Sequence, residues 1–411
     1  MVTLPASRSG ARLTGDVLPA TTDVVVIGAG IAGACAAYHL ARQGLSVLIA
    51  EAGRVGCGTT ACAVGVLTPP LRPPYPQMVS DLGAEQARRV WELGVRSVEG
   101  LCDLIQATGE GPGTDLDWSG GFVLAEEHNE LMVRSSCETM RQAGLPVRAL
   151  TSPDALEHTG SEAFPGGFHV AAGGAVDPEL ATAAVIRAAV AVGGRIAERT
   201  TVLEVIPELG GFRTITARGE VSSAAVVHAT HLGRREFREA RGMATIAVRA
   251  QAFVTAPIDR HFHGFFATQG KTNVWRQRSD GRLVVSGWRH YALPRAYGRS
   301  EGEIDPSLQA ELRSWFEAAF PELGRLRIEE EWSGSFAWSS DFLPLAGALP
   351  DRAGEWITLG LGDGGLGWAF ECGRVVAHGV VDATPVEGSD LVDPRRAPSH
   401  ELSGWTARAW A

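Results

Sequence analysis

The stretch Asp23-Val24-Val25-Val26-Ile27-Gly28-Ala29-Gly30-Ile31-Ala32-Gly33 decides the fold of this chain. An unbroken β-branched run has no polar face to show to water, so it reads as a strand buried on both sides. It feeds directly into a G-x-G-x-x-G turn with a helix behind it. A second apolar run, Ser46 to Ala50, ends on Glu51, at about the twenty-residue spacing of a ribose-binding acid. Gly28 permits the tight turn, Gly30 lets backbone N–H groups approach a pyrophosphate, and Gly33 lets the helix lie close to the strand. The helix N-terminus adds unpaired N–H groups and a positive dipole end. The Glu51 carboxylate favours a free 2′-hydroxyl over a 2′-phosphate. The reading is a dinucleotide-binding βαβ unit.

The 411 residues are enough for two or three structural units. The net charge of −10 and the pI of about 5.6 argue against nucleic-acid or anionic-membrane partners. No apolar run is long enough to span a bilayer, and Met1 to Thr22 lack the apolar core of a signal peptide. Cys35, Cys57, Cys62, Cys102, Cys137 and Cys372 form no C-x-x-C pair, which suits buried thiols in a reducing cytoplasm.

Elements alternate beyond the first unit. A Gly/Thr/Ala-rich loop, Gly53 to Gly65, and a Pro-rich turn, Pro69 to Pro76, lead into helical periodicity from Asp81 to Thr108. Strand residues at Gly121 to Ala125 precede a helix from Asn129 to Ala143, and Asp177-Pro178 reads as the N-cap and first residue of a helix to Val192. Short strands follow at Thr201–Ile206, Phe212–Ala217 and Ala224–Ala229. A β-rich block comes next, with strands at Val248–Thr255, Asn273–Gln277, Arg282–Trp288 and Arg327–Ala337, and a helix near Pro306–Phe320. The last unit is a strand at Trp356–Leu359, a glycine loop, and a helix from Leu366 to Val381. The nucleotide unit is thus completed from the far end of the chain. The expected fold is α/β plus β: a Rossmann-like dinucleotide-binding domain (20–110, 150–240 and 340–390) interleaved with a β-sheet-rich substrate domain (111–149 and 241–339), with tails at 1–19 and 391–411.

Gly360-Leu361-Gly362-Asp363-Gly364-Gly365-Leu366-Gly367 is the second glycine loop. A reduced isoalloxazine carries negative charge near N1 and C2=O, and a helix N-terminus stabilises that charge. Two glycine-lined helix starts suit a long cofactor, one for the pyrophosphate and one for the ring, so FAD fits better than NAD.

With these segments in order, the chain resembles the D-amino-acid oxidase family of FAD-dependent oxidoreductases, which includes glycine oxidase, sarcosine oxidase and gamma-glutamylputrescine oxidase. The resemblance runs from Thr22 to Thr384 through Val24–Glu51, Gly58-Thr59-Thr60-Ala61-Cys62-Ala63-Val64-Gly65, Gly174-Ala175-Val176-Asp177-Pro178, Val226-Val227-His228-Ala229-Thr230, Asp280–Val285, Trp332-Ser333-Gly334, Asp341-Phe342-Leu343-Pro344 and Gly360–Gly367. It implies that Ile31, Ala32, Glu51 and Ala52 hold the adenosine and pyrophosphate, and that Thr59 and Thr60 meet the pyrophosphate or ribityl chain. It sets Val64, Gly65 and Val66 along the ring, Val202 at the adenine, and Leu361, Gly362, Asp363, Gly364, Gly365, Leu366 and Gly367 around the pyrimidine edge.

The departures bear on the substrate. Phe336 stands where glycine oxidases carry a carboxylate-binding arginine, and Val274 where they carry a tyrosine. Arg276 shares a strand face with Val274 and is read either as a substitute carboxylate anchor or as half of an ion pair. Arg289 is a weaker second anchor. Val285 replaces the lysine of sarcosine oxidases, and Gly334 replaces their flavin-linking cysteine, which implies non-covalent FAD. Trp275, Trp288, Phe336, Trp338 and Trp368 read as β-domain core or as an aromatic box around an amine. His231 reads as a loop residue. His261, His263 and His290 lack a completing ligand, so no metal is expected. The expected chemistry is FAD-dependent oxidation of a C–N bond in a small-molecule amine or amino acid. Hydride transfer to flavin N5 gives an imine, with oxygen as acceptor. The alternatives are a dehydrogenase passing electrons to a quinone or protein carrier, and a non-catalytic FAD-binding subunit.

Overall fold

The computed structural model describes residues 17–231, 245–268, 273–287, 303–382 and 384–396. Trp288, Arg289 and His290 lie outside the described residues.

Strand β1 (Thr21–Ile27) is central. Its Val24–Ile27 stretch is buried throughout because neighbours cover both of its edges and both faces. It pairs in parallel with β2 (Val47–Ala50) and with β11 (Gly219–His228). Outward, β2 carries β8 (Arg195–Ala197), while β11 carries β18 (Glu355–Leu359), all parallel. The first sheet therefore reads β17-β18-β11-β1-β2-β8, with β17 (Leu345–Ala348) antiparallel at its edge. Strands β9 (Val202–Glu208) and β10 (Gly211–Thr216) extend it from β11. A strand from the far end of the chain thus lies two places from β1, as the interleaved reading expects.

Helix α1 (Ile31–Arg42) packs against α6 (Pro178–Ala191) and α8 (Gly365–Asp382). The expected start of α6 is present: the Asp177 carboxylate accepts the N–H groups of Glu179 and Leu180, both at 3.1 Å, with Pro178 at the first helical position. The expected helix from Asp81 is two helices, α2 (Tyr75–Leu82) and α3 (Ala84–Ala107), divided at Gly83.

The second sheet reads β16-β12-β15-β14-β13-β4-β6-β5. Its long members are β12 (Ile246–Thr255) and β16 (Ile328–Trp338), followed by β15 (Leu283–Gly287), β14 (Val274–Gln277) and β13 (Phe265–Thr268). From earlier in the chain come β4 (Gly121–Leu124), β5 (Val147–Leu150) and β6 (Gly167–Val170). The expected boundary at residue 150 differs here. Gly167–Val170 pairs antiparallel with both β4 and β5, so this part of the chain belongs to the second sheet. Helix α4 (Glu130–Gln142) lies against β5 and β6.

An aromatic core joins the second sheet to α7 (Pro306–Ala319). Trp275 is fully buried in it, stacked on Phe266 with ring centroids 5.5 Å apart and edge-on to Phe316 and Phe320. Trp368 is buried in the larger core beside α1. These two tryptophans are packing residues.

Candidate functional site

The turn after β1 is shaped by close backbone approach. Gly28 has φ +104°, and a Cβ there would come within 2.6 Å of the Ala229 carbonyl oxygen. A Cβ on Gly33 would overlap the Gly28 carbonyl. Gly30 differs: only Thr60 Oγ1, at 3.2 Å, lies within 4 Å of the position a Cβ would take. Gly30 is also the N-cap of α1, with no side-chain cap and no acid in the first turn. Ile31 N–H donates to Thr60 Oγ1 at 3.2 Å. A helix start with a positive dipole end, no capping anion and room before it fits a pyrophosphate.

Glu51 stands at the end of β2. Its carboxylate accepts the Ala29 N–H and the Gly53 N–H, each at 2.7 Å, and so ties the first turn to the second strand. Ala52 is exposed beside it. The Glu51 carbonyl accepts the Thr200 N–H at 2.7 Å, which brings the start of β9 and Val202 towards the same end of the sheet. Glu198, also buried here, accepts the Val55 N–H at 2.8 Å. Sequence reasoning missed it, because its partner is 143 residues away.

Strand β16 is the spine that joins the pieces. Thr59 Oγ1 donates to Ser335 O at 3.1 Å, Trp332 Nε1 donates to Cys62 O at 3.0 Å, and His231 Nε2 lies 2.9 Å from Ser335 O. A Cβ on Gly334 would come within 2.5 Å of Cys62 Cβ. Burial pushes the Cys62 thiol up to about 12. At its end, β16 reaches the second glycine loop through a bridge between Trp338 and Leu361.

That loop is enclosed by distant residues. Gly362 has φ +61°, and a Cβ on it would overlap the Trp338 indole. A Cβ on Gly367 would overlap the Thr68 carbonyl. Gly362–Gly364 form a single 3-10 turn before α8 opens at Gly365, with no acid in the first turn of α8. Asp363 lies 3.8 Å from the buried Arg72, a second contact that the sequence did not signal. Beside the loop, Phe336, Trp338, Phe342 and Val248 form a buried cluster. Trp338 is edge-on to Phe336 at 6.1 Å and to Phe342 at 5.1 Å.

Between the two glycine turns, Val66 and Leu67 (β3) pair antiparallel with Gly174 and Ala175 (β7). Val64 and Gly65 lead into β3. Arg276 meets them: its Nε donates to Val64 O at 2.6 Å, and its guanidinium pairs with Asp115 at 2.7 Å. Arg276 shares a face with Val274, as the strand period expects, and Val274 joins the core that contains Val64. Of the expected histidine group, His261 Nε2 sits 2.7 Å from Thr159 O, and no metal-ligand cluster occurs among the described residues.

Known proteins share the fold and the family pattern of this chain. The chain is 27% identical to glycine oxidase from Geobacillus kaustophilus, over 82% of this chain and 87% of that protein. It is 22% identical to a probable oxidoreductase, OrdL, from Haemophilus influenzae, over 87% and 83%. Its fold superposes on the crystal structure of L-proline dehydrogenase from P. horikoshii with a TM-score of 0.77 at 21% identity, over 92% of this chain and 98% of that one. The pattern of the FAD dependent oxidoreductase family matches residues 23–378, most of the chain and both glycine turns, and the chain belongs to that family.

Proposed function

We propose that this chain oxidises a C–N bond in an amine or amino acid, using non-covalently bound FAD. The observation that carries the reading is that β16 meets the second glycine turn directly, through Trp338 and Leu361, and the first through the Thr59–Thr60 loop, although the glycines of the two turns are about 330 residues apart. In this reading Gly28, Gly30, Ile31, Ala32 and Gly33 face the pyrophosphate with Thr59 and Thr60. Glu51 and Ala52 hold the ribose, and Val202 lies at the adenine. Val64, Gly65 and Val66 lie along the ring, and Leu361–Gly367 surround its pyrimidine edge. The first sheet and its helices form the cofactor unit, and the second sheet forms the substrate unit, now including Gly167–Val170.

Bound FAD supplies the two-electron acceptor for hydride leaving the carbon next to nitrogen. The chain's own residues bind and orient the amine and exclude water. In this reading the apolar cluster of Phe336, Trp338, Phe342 and Val248 keeps water from the reacting carbon. Gly334, which offers no thiol at the position of the flavin-linking cysteine of sarcosine oxidases, supports non-covalent attachment. No helix among the described residues is long and apolar enough to cross a membrane, and all six cysteines are free thiols.

The test is anaerobic mixing of the purified protein with amines, N-methyl amino acids, and D- and L-amino acids. At least one is expected to bleach the flavin absorbance. A flavin-loaded protein that none of them bleaches would instead favour a non-catalytic subunit. Stopped-flow reoxidation then assigns the acceptor: fast reaction with oxygen is expected, and slow reaction would point to a quinone or carrier protein.

A further inference from the structure

We propose that Arg276 is a positioning residue, paired with Asp115 into a clamp that holds the backbone of Val64–Gly65 and commits its charge to Asp115 rather than to a substrate carboxylate. The inference rests on the reading that Val64–Val66 lie along the flavin ring.

Arg276 sits mid-sheet on β14, in register with Phe265 of β13 and Val284 of β15, and its side chain is 1% exposed. A guanidinium buried this deeply needs a counter-charge and filled donors. Nη1 meets Asp115 Oδ2 at 2.7 Å, and Nε donates to Val64 O at 2.6 Å. The other Asp115 oxygen accepts the Ser279 N–H at 2.8 Å, three residues beyond Arg276. Burial would raise the Asp115 carboxyl, but Arg276 and the Ser279 N–H outweigh it and hold the group below the usual carboxylate range. The Asp115 carboxylate is therefore ionised at neutral pH and faces the Arg276 charge directly. A substrate carboxylate that took Nη1 would have to displace Asp115.

The clamp has company. The Cys62 carbonyl accepts Trp332 Nε1 at 3.0 Å, the Val64 carbonyl accepts Arg276, and the Gly65 carbonyl accepts the Val176 N–H at 2.8 Å. Two side chains of the second sheet thus hold alternate carbonyls of one loop. Gly65, at φ +95°, passes so near that a Cβ would come within 2.8 Å of Arg276 Nε. Lysine cannot reproduce the planar fork that serves the carbonyl and Asp115 in two directions, but it can keep one donor and the charge.

The experiment uses the FAD-loaded protein with Arg276→Met, Arg276→Lys and Asp115→Asn. The readouts are the visible flavin spectrum, the FAD Kd, and the flavin midpoint potential by dye equilibration during dithionite-driven reduction. Arg276→Met is expected to shift the flavin bands and weaken FAD about tenfold, the scale of one charge-assisted hydrogen bond. Asp115→Asn is expected to shift the bands in the same direction, and Arg276→Lys to move them back towards wild type. Folded Arg276→Met and Asp115→Asn proteins with wild-type spectra, potentials and Kd would overturn the clamp. If Arg276→Met does not fold, Asp115→Asn and Arg276→Lys carry the same test. For an amino acid that bleaches the wild type, the clamp changes KM for it and for its decarboxylated analogue alike. A rise confined to the carboxylate-bearing compound would restore the anchoring role and overturn the clamp. A wild-type protein that binds no FAD would overturn the functional reading itself; a loaded wild type with unmoved variants overturns only the clamp.

Discussion

At Gly28–Gly33 the atoms that exclude a side chain are main-chain carbonyls of the turn itself and of the adjacent strand, Gly28 O and Ala229 O. At Gly360–Gly367 they are the indole of Trp338, on the second sheet, and the carbonyl of Thr68, just beyond β3. The two helices that start there nevertheless touch: a Cβ on Gly373 of α8 would come within 2.6 Å of the Cys35 carbonyl carbon of α1. One turn is built by its own unit, while the other is completed by parts of the chain that fold elsewhere. A self-contained turn repeats as a recognisable pattern of glycines. A turn completed from outside needs its partners in place before its glycines make sense.

Gly33→Ala tests the self-contained turn and carries the largest expected effect. The methyl would overlap Gly28 O, so α1 cannot close on β1. We expect loss of bound FAD together with a fall in Tm of several degrees or more. Gly30→Val sharpens the contrast, because its side chain would enter the space before α1 and meet only Thr60 Oγ1. We expect flavin content to be abolished while the apoprotein Tm stays near that of wild-type apoprotein. Normal flavin content in Gly30→Val would break the assignment of this turn to the pyrophosphate.

Gly362→Ala tests the turn completed from outside. An alanine at φ +61° costs about 1–2 kcal/mol from the backbone alone, and its methyl also overlaps Trp338. FAD Kd should rise by about tenfold or more on that scale, and Trp338→Ala in the same protein should recover part of the loss. A double mutant no better than the sum of the singles would show that the indole does not shape the loop.

The smallest effect concerns the α1–α8 contact. His39 on α1 is buried edge-on to Phe370 of α8, with ring centroids 4.4 Å apart. Burial is the main cause, with Arg42, Arg374 and His378 adding to it, that lowers its pKa from 6.5 to about 3. The folded state holds His39 neutral where the unfolded chain protonates it. Its contribution to stability is full above pH 6.5 and is lost progressively as pH falls towards 3. Tm should therefore drop less between pH 7 and about pH 4.5 in His39→Gln than in wild type. Equal slopes would show that His39 titrates normally in the folded protein.

Local physics was legible in the residues. Val24–Ile27 reads as a buried strand because no polar side chain interrupts it, and Asp177-Pro178 reads as a helix start because cap and first residue are adjacent. The face shared by Val274 and Arg276 followed from the strand period, but the partner of Arg276 did not. Asp115 lies 161 residues earlier, in a glycine-rich segment with no periodic signal. The place of Gly167–Val170, inside the stretch 150–240 read as part of the FAD-binding domain, was hidden for a related reason. A four-residue strand carries little pattern, and only its pairing with β4 and β5 shows where it belongs.

By itself, then, the sequence determined the strand–turn–helix at Gly28–Gly33 and marked Glu51 and the second run of glycines, because strand, turn and helix signals rest on neighbours within a few residues. The tertiary structure alone decided that Trp338 roofs Gly362, that Trp275 is core, and that Asp115 takes the charge of Arg276. Those outcomes depend on burial and on which charges meet across the two sheets, and neither is set until the chain has closed on itself.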